Sequence, residues 1–433
     1  MRTPLALALV VVAPLGCGAQ GPTGIEGQCD PEAAQAAFLA VAGEEPHHDD
    51  AEASDAAHGL YFAEEGGSFD GAGAGWEDPE GHDDAEEMVP FLAAPARQPV
   101  TLFLNRDGGT YESGASSSSA NRSPIVPCDV AELQPYAADD EAWSEVVECV
   151  AAQFAPFDVE VTDEEPSSGR YIEVVVGDEP GALGLPRNVG GIAPMDTYGC
   201  RVIDQAVVFV FAERIGVRNT SRICEVAAQE VGHALGLDHE FLCEDPMSYL
   251  KGCGDKVFQN IDARCGEHET RDCACGRDTQ NSVQVMARTI GTRDGSMPPP
   301  PPVDEEAPRI TVLGPTDGAE LVADVVRVTA KVDDDVSVSR VELVWEEGGV
   351  ASSFVCPTSG ERALCRREGD RYLWQVRSEG GAVRFQVRAQ DPVGHVAVSP
   401  TVELDVEPQK MTSSQTASQR NAVDPQPSAA AQS

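Results

Sequence analysis

Positive charge is scarce in this chain of 433 residues. Only 30 Lys and Arg stand against 73 Asp and Glu, a formal net charge of −43. A surface of that sign repels nucleic acid and anionic membranes, so neither is expected as a direct partner. The shortage is total between residues 18 and 96, where nineteen acidic residues meet no Lys or Arg. Hydrophobic periodicity is also missing there, apart from "PEAAQAAFLAVAG". Residues 18–96 are therefore expected to form a solvated acidic tether, with a prosegment as the alternative. His47, His48, His58 and His82 give this stretch at most weak metal-binding capacity. The N-terminal apolar run, "LALALVVVAPLG", falls short of the roughly 20 apolar residues that a spanning helix needs.

What is present at the N-terminus looks like a targeting signal. Arg2 precedes the apolar run, which ends in "PLGC" at Cys17. This resembles a bacterial lipobox, with Pro14 where such motifs usually carry Leu. The resemblance implies that residues 1–17 are a signal peptide and that Cys17 is lipidated. The membrane would then be reached only through a lipid anchor. The expected location is extracytoplasmic, as a bacterial outer-membrane lipoprotein or a secreted protein. Cysteine usage agrees with export: of 13 cysteines, setting Cys17 aside leaves an even twelve. Spacing does not fix the pairing. The most local pairs are Cys356 with Cys365, Cys243 with Cys253, Cys200 with Cys224, and Cys128 with Cys149. Cys265, Cys273 and Cys275 lack a zinc-ribbon spacing, so they too are expected in disulfides, with Cys29 as a further partner.

From Arg97 the texture changes. "RQPVTLFLN" alternates as a strand, and a Ser/Gly-rich loop follows. Residues 129–157 read as helix, with Trp143, Val146, Val147 and Val150 at helical spacing. "FDVEVTDEEP" and "RYIEVVVGD" are strands, "GGIAPMD" a short edge strand, and "QAVVFVFAER" a strand for a sheet interior. Asn219, Thr220 and Ser221 supply N-cap chemistry for a helix over 221–235 that breaks at Gly236. A last helix, "SVQVMARTIG", closes a domain over 97–293. Consecutive prolines make 294–303 a stiff linker. Residues 304–407 are short alternating strands that suggest an immunoglobulin-like sandwich, and "VRAQDPVGHVAVS" resembles bacterial immunoglobulin-like repeats. Residues 408–433 are a polar tail.

The chemistry concentrates in "EVAAQEVGHALGLDHE". Gln229 and His233 are four apart and share one helix face. Glu230 is placed to act on water beside a metal. Gly236 permits a sharp turn that returns His239 toward His233. Downstream, "EDPMSYL" offers Met247 and Tyr249. The layout resembles the metzincin zinc proteases, whose signature is H-E-x-x-H-x-x-G-x-x-H followed by a Met-turn, except that Gln229 replaces the first His. The resemblance covers about 97–291 and implies an α+β fold: a metzincin-like catalytic domain with a twisted mixed sheet and an active-site helix, then an all-β immunoglobulin-like sandwich. It implies one catalytic zinc, held by His233, His239 and Gln229 with Tyr249 able to complete the set. It also implies Met247 as Met-turn support, Glu230 as general base, and Tyr249 as zinc ligand or oxyanion donor.

The implied function is zinc-dependent endopeptidase activity on protein or peptide substrates, with the substrate strand antiparallel to the edge strand near 190–194. An amide oxygen is a weaker zinc ligand than imidazole. The alternative is therefore a catalytically silent metzincin-like fold that binds at the cell surface, where the sandwich would also engage a ligand.

Overall fold

A computed structural model describes residues 99–409 except 128, 360 and 361, together with the backbone of Leu60–Tyr61. Cys17, the rest of the acidic stretch with its histidines, Cys29, Cys128 and the tail from 410 lie outside the described residues.

The first domain is built on a five-stranded sheet. Its strands are β1 (Val100–Asn105), β2 (Val159–Thr162), β3 (Tyr171–Gly177), β4 (Gly191–Ile192) and β5 (Val207–Phe211). The order is β2-β1-β3-β5-β4. The first four in that order run parallel, and β4 lies antiparallel at the edge beside β5. β3 and β5 are apolar nearly throughout because both their faces are buried. On one face Ile172, Val174, Val176, Val208 and Val210 pack against the helices α1 (Asp140–Phe154) and α2 (Thr220–Ala234). On the other, Val175, Val207, Phe209 and Phe211 pack beneath Tyr111, Ile125 and Leu133. The backbone of Leu60–Tyr61 pairs in parallel with Pro194–Met195, just past β4.

The long helix expected over 129–157 is corrected. Val130–Leu133 is a strand antiparallel to Gly109–Ser113, and the helix begins only at Asp140. Gln134-Pro135 intervenes, and a residue before proline is pushed out of the helical region. Asp139 then caps α1, its Oδ1 accepting from the Ala142 amide at 3.1 Å. The motif helix falls within one residue of expectation at each end. Asn219 precedes it without a side-chain cap bond, and Thr220 Oγ1 donates instead to Glu145 at 2.9 Å. The last helix is α3 (Ser282–Thr289).

Five disulfides lie among the described residues, in keeping with an oxidising compartment. Cys243–Cys253 and Cys356–Cys365 are the local pairs expected. Cys149 pairs with Cys224 and Cys200 with Cys275, which overturns the 200–224 and 128–149 pairings; Cys265 joins Cys273. The reason is tertiary: α1 and α2 pack side by side, which brings 149 to 224. That bond closes a separation of 75 residues, a loop that stabilises by about 4–5 kcal/mol in the chain-entropy view. Replacing both cysteines by Ser is expected to lower the guanidinium midpoint sharply. An unchanged midpoint would mean the bond does not staple the two helices.

The second domain is a two-layer sandwich. One layer holds β6 (Arg309–Gly314), β8 (Val325–Asp333), β13 (Arg371–Arg377), β12 (Ala363–Glu368) and β11 (Thr358–Ser359), in that order. The other holds β7 (Ala319–Val322), β16 (Val402–Glu407), β14 (Gly381–Gln390), β9 (Arg340–Glu347) and β10 (Val350–Cys356), with β15 (Val396–Val398) paired to β14. Alternate side chains of β8, β13 and β14 point inward, and Trp345, Trp374 and Phe385 fill the space between layers. The domains touch. Arg340 Nη1 donates to the His268 carbonyl at 2.8 Å, the Arg264 amide to the Pro392 carbonyl at 2.8 Å, and Arg367 Nη1 lies 3.3 Å from Glu244 Oε1. Among the described residues no helix is long and apolar enough to cross a membrane.

Candidate metal centre

α2 carries Gln229, Glu230 and His233 along its buried length. The helix ends in a reversal at Gly236, whose φ is +90°. A Cβ there would stand 2.6 Å from the Cys200 carbonyl oxygen, so both conformation and space demand glycine. Gly236→Ala is expected to cost about 2 kcal/mol or more in thermal unfolding. A neutral result would show that the reversal tolerates a side chain. Leu237 then donates back to the Gly232 carbonyl at 2.9 Å, and the chain returns past the helix to place His239 beside His233.

Each imidazole is held through Nδ1. His233 Nδ1 lies 2.8 Å from the Leu237 carbonyl oxygen, and His239 Nδ1 lies 2.9 Å from Glu267 Oε1. Both partners are pure acceptors, so both Nδ1 atoms carry the proton. The two Nε2 atoms therefore turn lone pairs toward each other, 3.0 Å apart. Two lone pairs at that distance repel unless a positive species lies between them. A proton fits poorly, because burial, with His239 second, pushes the His233 imidazole below its ordinary range. Two nitrogens bound to one tetrahedral ion at ~2.05 Å stand about 3.3 Å apart, close to the spacing seen. The donor set therefore fits a divalent cation.

Behind His239 stands a network that sequence reasoning did not find. Arg271 grips Asp238 with two hydrogen bonds of 2.6 and 2.8 Å and donates to Glu267 Oε1 at 2.8 Å. Burial opposes ionisation of Glu267 and Asp238, but the bonds from His239 and Arg271 to the first, and from Arg271 to the second, hold both carboxyls below the usual range. Asp238 also accepts from the His239 amide at 2.7 Å and the Ala274 amide at 2.8 Å. Asp238, His239 and Glu267 lie close enough to suggest a metal site of their own. Their polar atoms are already spent on Arg271 and on orienting the imidazole, so they serve as supports. The only sequence signal was Glu267 and Arg271 set four apart within the Cys265–Cys273 loop.

The remaining expected residues gather around this pair in different ways. The Tyr249 ring sits 4.4 Å from that of His239, centroid to centroid. Met247 is fully buried under the helix against Gly232, where an added Cβ would stand 2.4 Å from its Sδ. Its amide is fixed by Asp245 Oδ1 at 2.8 Å, and its carbonyl accepts from the Glu240 amide at 2.9 Å. Gln229 is buried with its amide nitrogen unpartnered. Glu230 is buried with Oε1 unpartnered, and burial pushes its carboxyl well above the ordinary range. It lies along β4: a Cβ on Gly191 would come within 2.7 Å of Glu230 Oε1. Buried polar atoms without partners are costly and uncommon, and Gln229 and Glu230 place two on adjacent residues of α2.

No protein-family model matches the chain, and no curated protein matches it. Solved structures do. The fibronectin(III)-like modules of Clostridium thermocellum CbhA match at 18% identity over 24% of this chain and all of theirs, with a TM-score of 0.18. The SrpA adhesin of Streptococcus sanguinis matches at 14% identity over 24% of this chain and 60% of its own, with the same TM-score of 0.18. A marsupial T cell receptor matches at 12% identity over 28% of this chain and 40% of its own, with a TM-score of 0.21.

Proposed function

We propose that residues 97–293 form a metzincin-like zinc endopeptidase acting on protein or peptide substrates outside the cytoplasm. The observation that carries the reading is the facing pair of imidazole Nε2 atoms 3.0 Å apart, with both Nδ1 atoms committed elsewhere. His233 and His239, with Gln229 through its amide oxygen and Tyr249 able to complete the set, would hold zinc, which would supply Lewis acidity for the scissile carbonyl and for water. Glu230 takes the proton of the attacking water. A positive charge nearby brings its carboxyl back toward the range where a base works at neutral pH. Tyr249 donates to the developing oxyanion. Substrate lies antiparallel along 190–194; the chain's own Leu60–Tyr61 strand covers one end of that edge, as a prosegment would.

A second reading is favoured by Gln229 itself, since an amide holds zinc less firmly than imidazole does. In that reading the domain is a silent fold used for surface binding. Metal analysis of the purified full chain with a peptide-cleavage assay separates the two. One zinc per chain is expected, with cleavage lost on chelation and restored by added zinc. A metal-free chain that cleaves nothing would leave the binding reading standing.

A further inference from the structure

Away from the imidazole pair, three segments converge at one end of the sandwich. They are the linker before β6, the turn after β8, and the turn after β14. They contribute Asp304, Asp334 with Asp335, and Asp391 with His395. Ligand atoms of Asp304, Asp334 and Asp335 lie within 4.8 Å of one another, and those of Asp304, Asp391 and His395 do likewise. Acidic groups are common in a chain of this charge, but this one differs in a specific way. The Asp304 side chain is 3% exposed, and both of its carboxylate oxygens are buried without a hydrogen-bond donor. Asp334 Oδ2 is likewise buried without one.

The neighbouring atoms orient the carboxylates without neutralising them. Asp334 Oδ1 accepts from the Val336 amide at 2.9 Å and the Ser337 amide at 3.1 Å. Asp391, its side chain fully buried, accepts from the Gly394 amide at 2.7 Å, and from the His395 amide and His395 Nδ1 at 2.8 Å each. That same Nδ1 lies 3.8 Å from Asp304 Oδ1, too far to donate well. Lys331, at the end of β8, is paired with Asp333 and Asp370 instead. Burial, and then Asp391, Asp334 and Asp335, push the Asp304 carboxyl up to about 6. A folded protein rarely leaves an aspartate this deeply buried with neither oxygen met.

We infer that this end of the sandwich is a binding site for a hard divalent cation of the calcium type. Asp304, Asp334 and Asp335 are the carboxylate ligands, and Asp391 is the fourth acid facing the ion. An all-oxygen, multiply anionic set drawn from three converging segments suits calcium better than zinc. His395, already bonded to Asp391, orients that carboxylate. The site fastens the linker to the sandwich, and through the Arg264–Pro392 backbone bond it lies next to the first domain.

The test uses the full chain, stripped of metal and titrated with calcium chloride while unfolding and calcium uptake are followed. Wild type is expected to bind calcium with a Kd within the range of extracellular modules, about 10⁻⁴–10⁻³ M or tighter. Its sandwich transition should rise by about 5 °C at ten times Kd. Asp304→Asn should weaken binding at least tenfold. Without calcium the same variant should melt no lower than wild type, because it removes an unmet buried charge, so the order of stability reverses when calcium is added. Asp334→Asn should weaken binding in the same way. His233→Ala, which disables the other centre, should leave the calcium response intact. The inference is overturned if wild type neither binds calcium nor shifts up to about 10 mM. It is also overturned if Asp304→Asn lowers stability equally with and without calcium, which would make Asp304 a packing residue, or if His233→Ala abolishes the response.

Discussion

Glu230→Gln should reduce peptide cleavage by about 10²- to 10⁴-fold, the range that a positioned general base contributes, while zinc content stays at the wild-type level. The two effects separate because the substitution removes a base and keeps a side chain of the same size. Glu230 packs so closely on the Gly191 backbone that a Cβ there would stand 2.7 Å from its Oε1, and the amide fills the same space. It also replaces a buried carboxyl held well above its ordinary range, and so leaves stability unchanged or slightly raised. Cleavage that survives in Glu230→Gln and also survives chelation would remove the proposed mechanism altogether. Loss of zinc along with activity would mean that Glu230 holds the ion.

Gln229→His should tighten zinc binding by at least ~10–100-fold, the scale of loss known for supporting groups, and a direct ligand should matter no less. The substitution offers a third imidazole on the face that His233 already occupies one turn later. The buried Gln229 amide nitrogen without a partner indicates that this side chain is imperfectly satisfied as it stands. Activity should rise where loss of metal limits the wild type. Competition with a zinc-sensitive dye reads the affinity. An unchanged affinity would show that position 229 does not face the ion. A wild type without metal, paired with a zinc-binding Gln229→His, would identify a protease that has lost its metal.

The motif helix and its break were legible because they depend on local rules. Residues four apart share a face, and glycine takes the positive φ that ends the turn, so 221–235 was placed within a residue of Thr220–Ala234. The sandwich was legible from strict alternation in strands such as Val325–Asp333. The supports of His239 were not legible, because Glu267 and Arg271 act across a turn whose position depends on the Cys265–Cys273 bond. Cys149 and Cys224 are brought together only by the packing of α1 against α2, which no local spacing shows. Asp304 gave no signal at all: in a chain with 73 acidic residues, one more aspartate after a run of prolines looks like solvent-facing charge.

Arg340 belongs to the sandwich, yet its guanidinium holds the carbonyl of His268, the residue next to Glu267. Arg264, one residue before Cys265, is tied by its amide to Pro392 of the sandwich. The short cross-linked loop that orients His239 is thus pinned from outside, just before its first cysteine and again within it, by the other domain. A fragment cut at the proline linker keeps every residue of the motif and all four of the first domain's described disulfides, but loses both pins. An inert fragment of that kind would report on a loosened imidazole and say nothing about the chemistry of Gln229, so assays of the intact chain are the ones that bear on it.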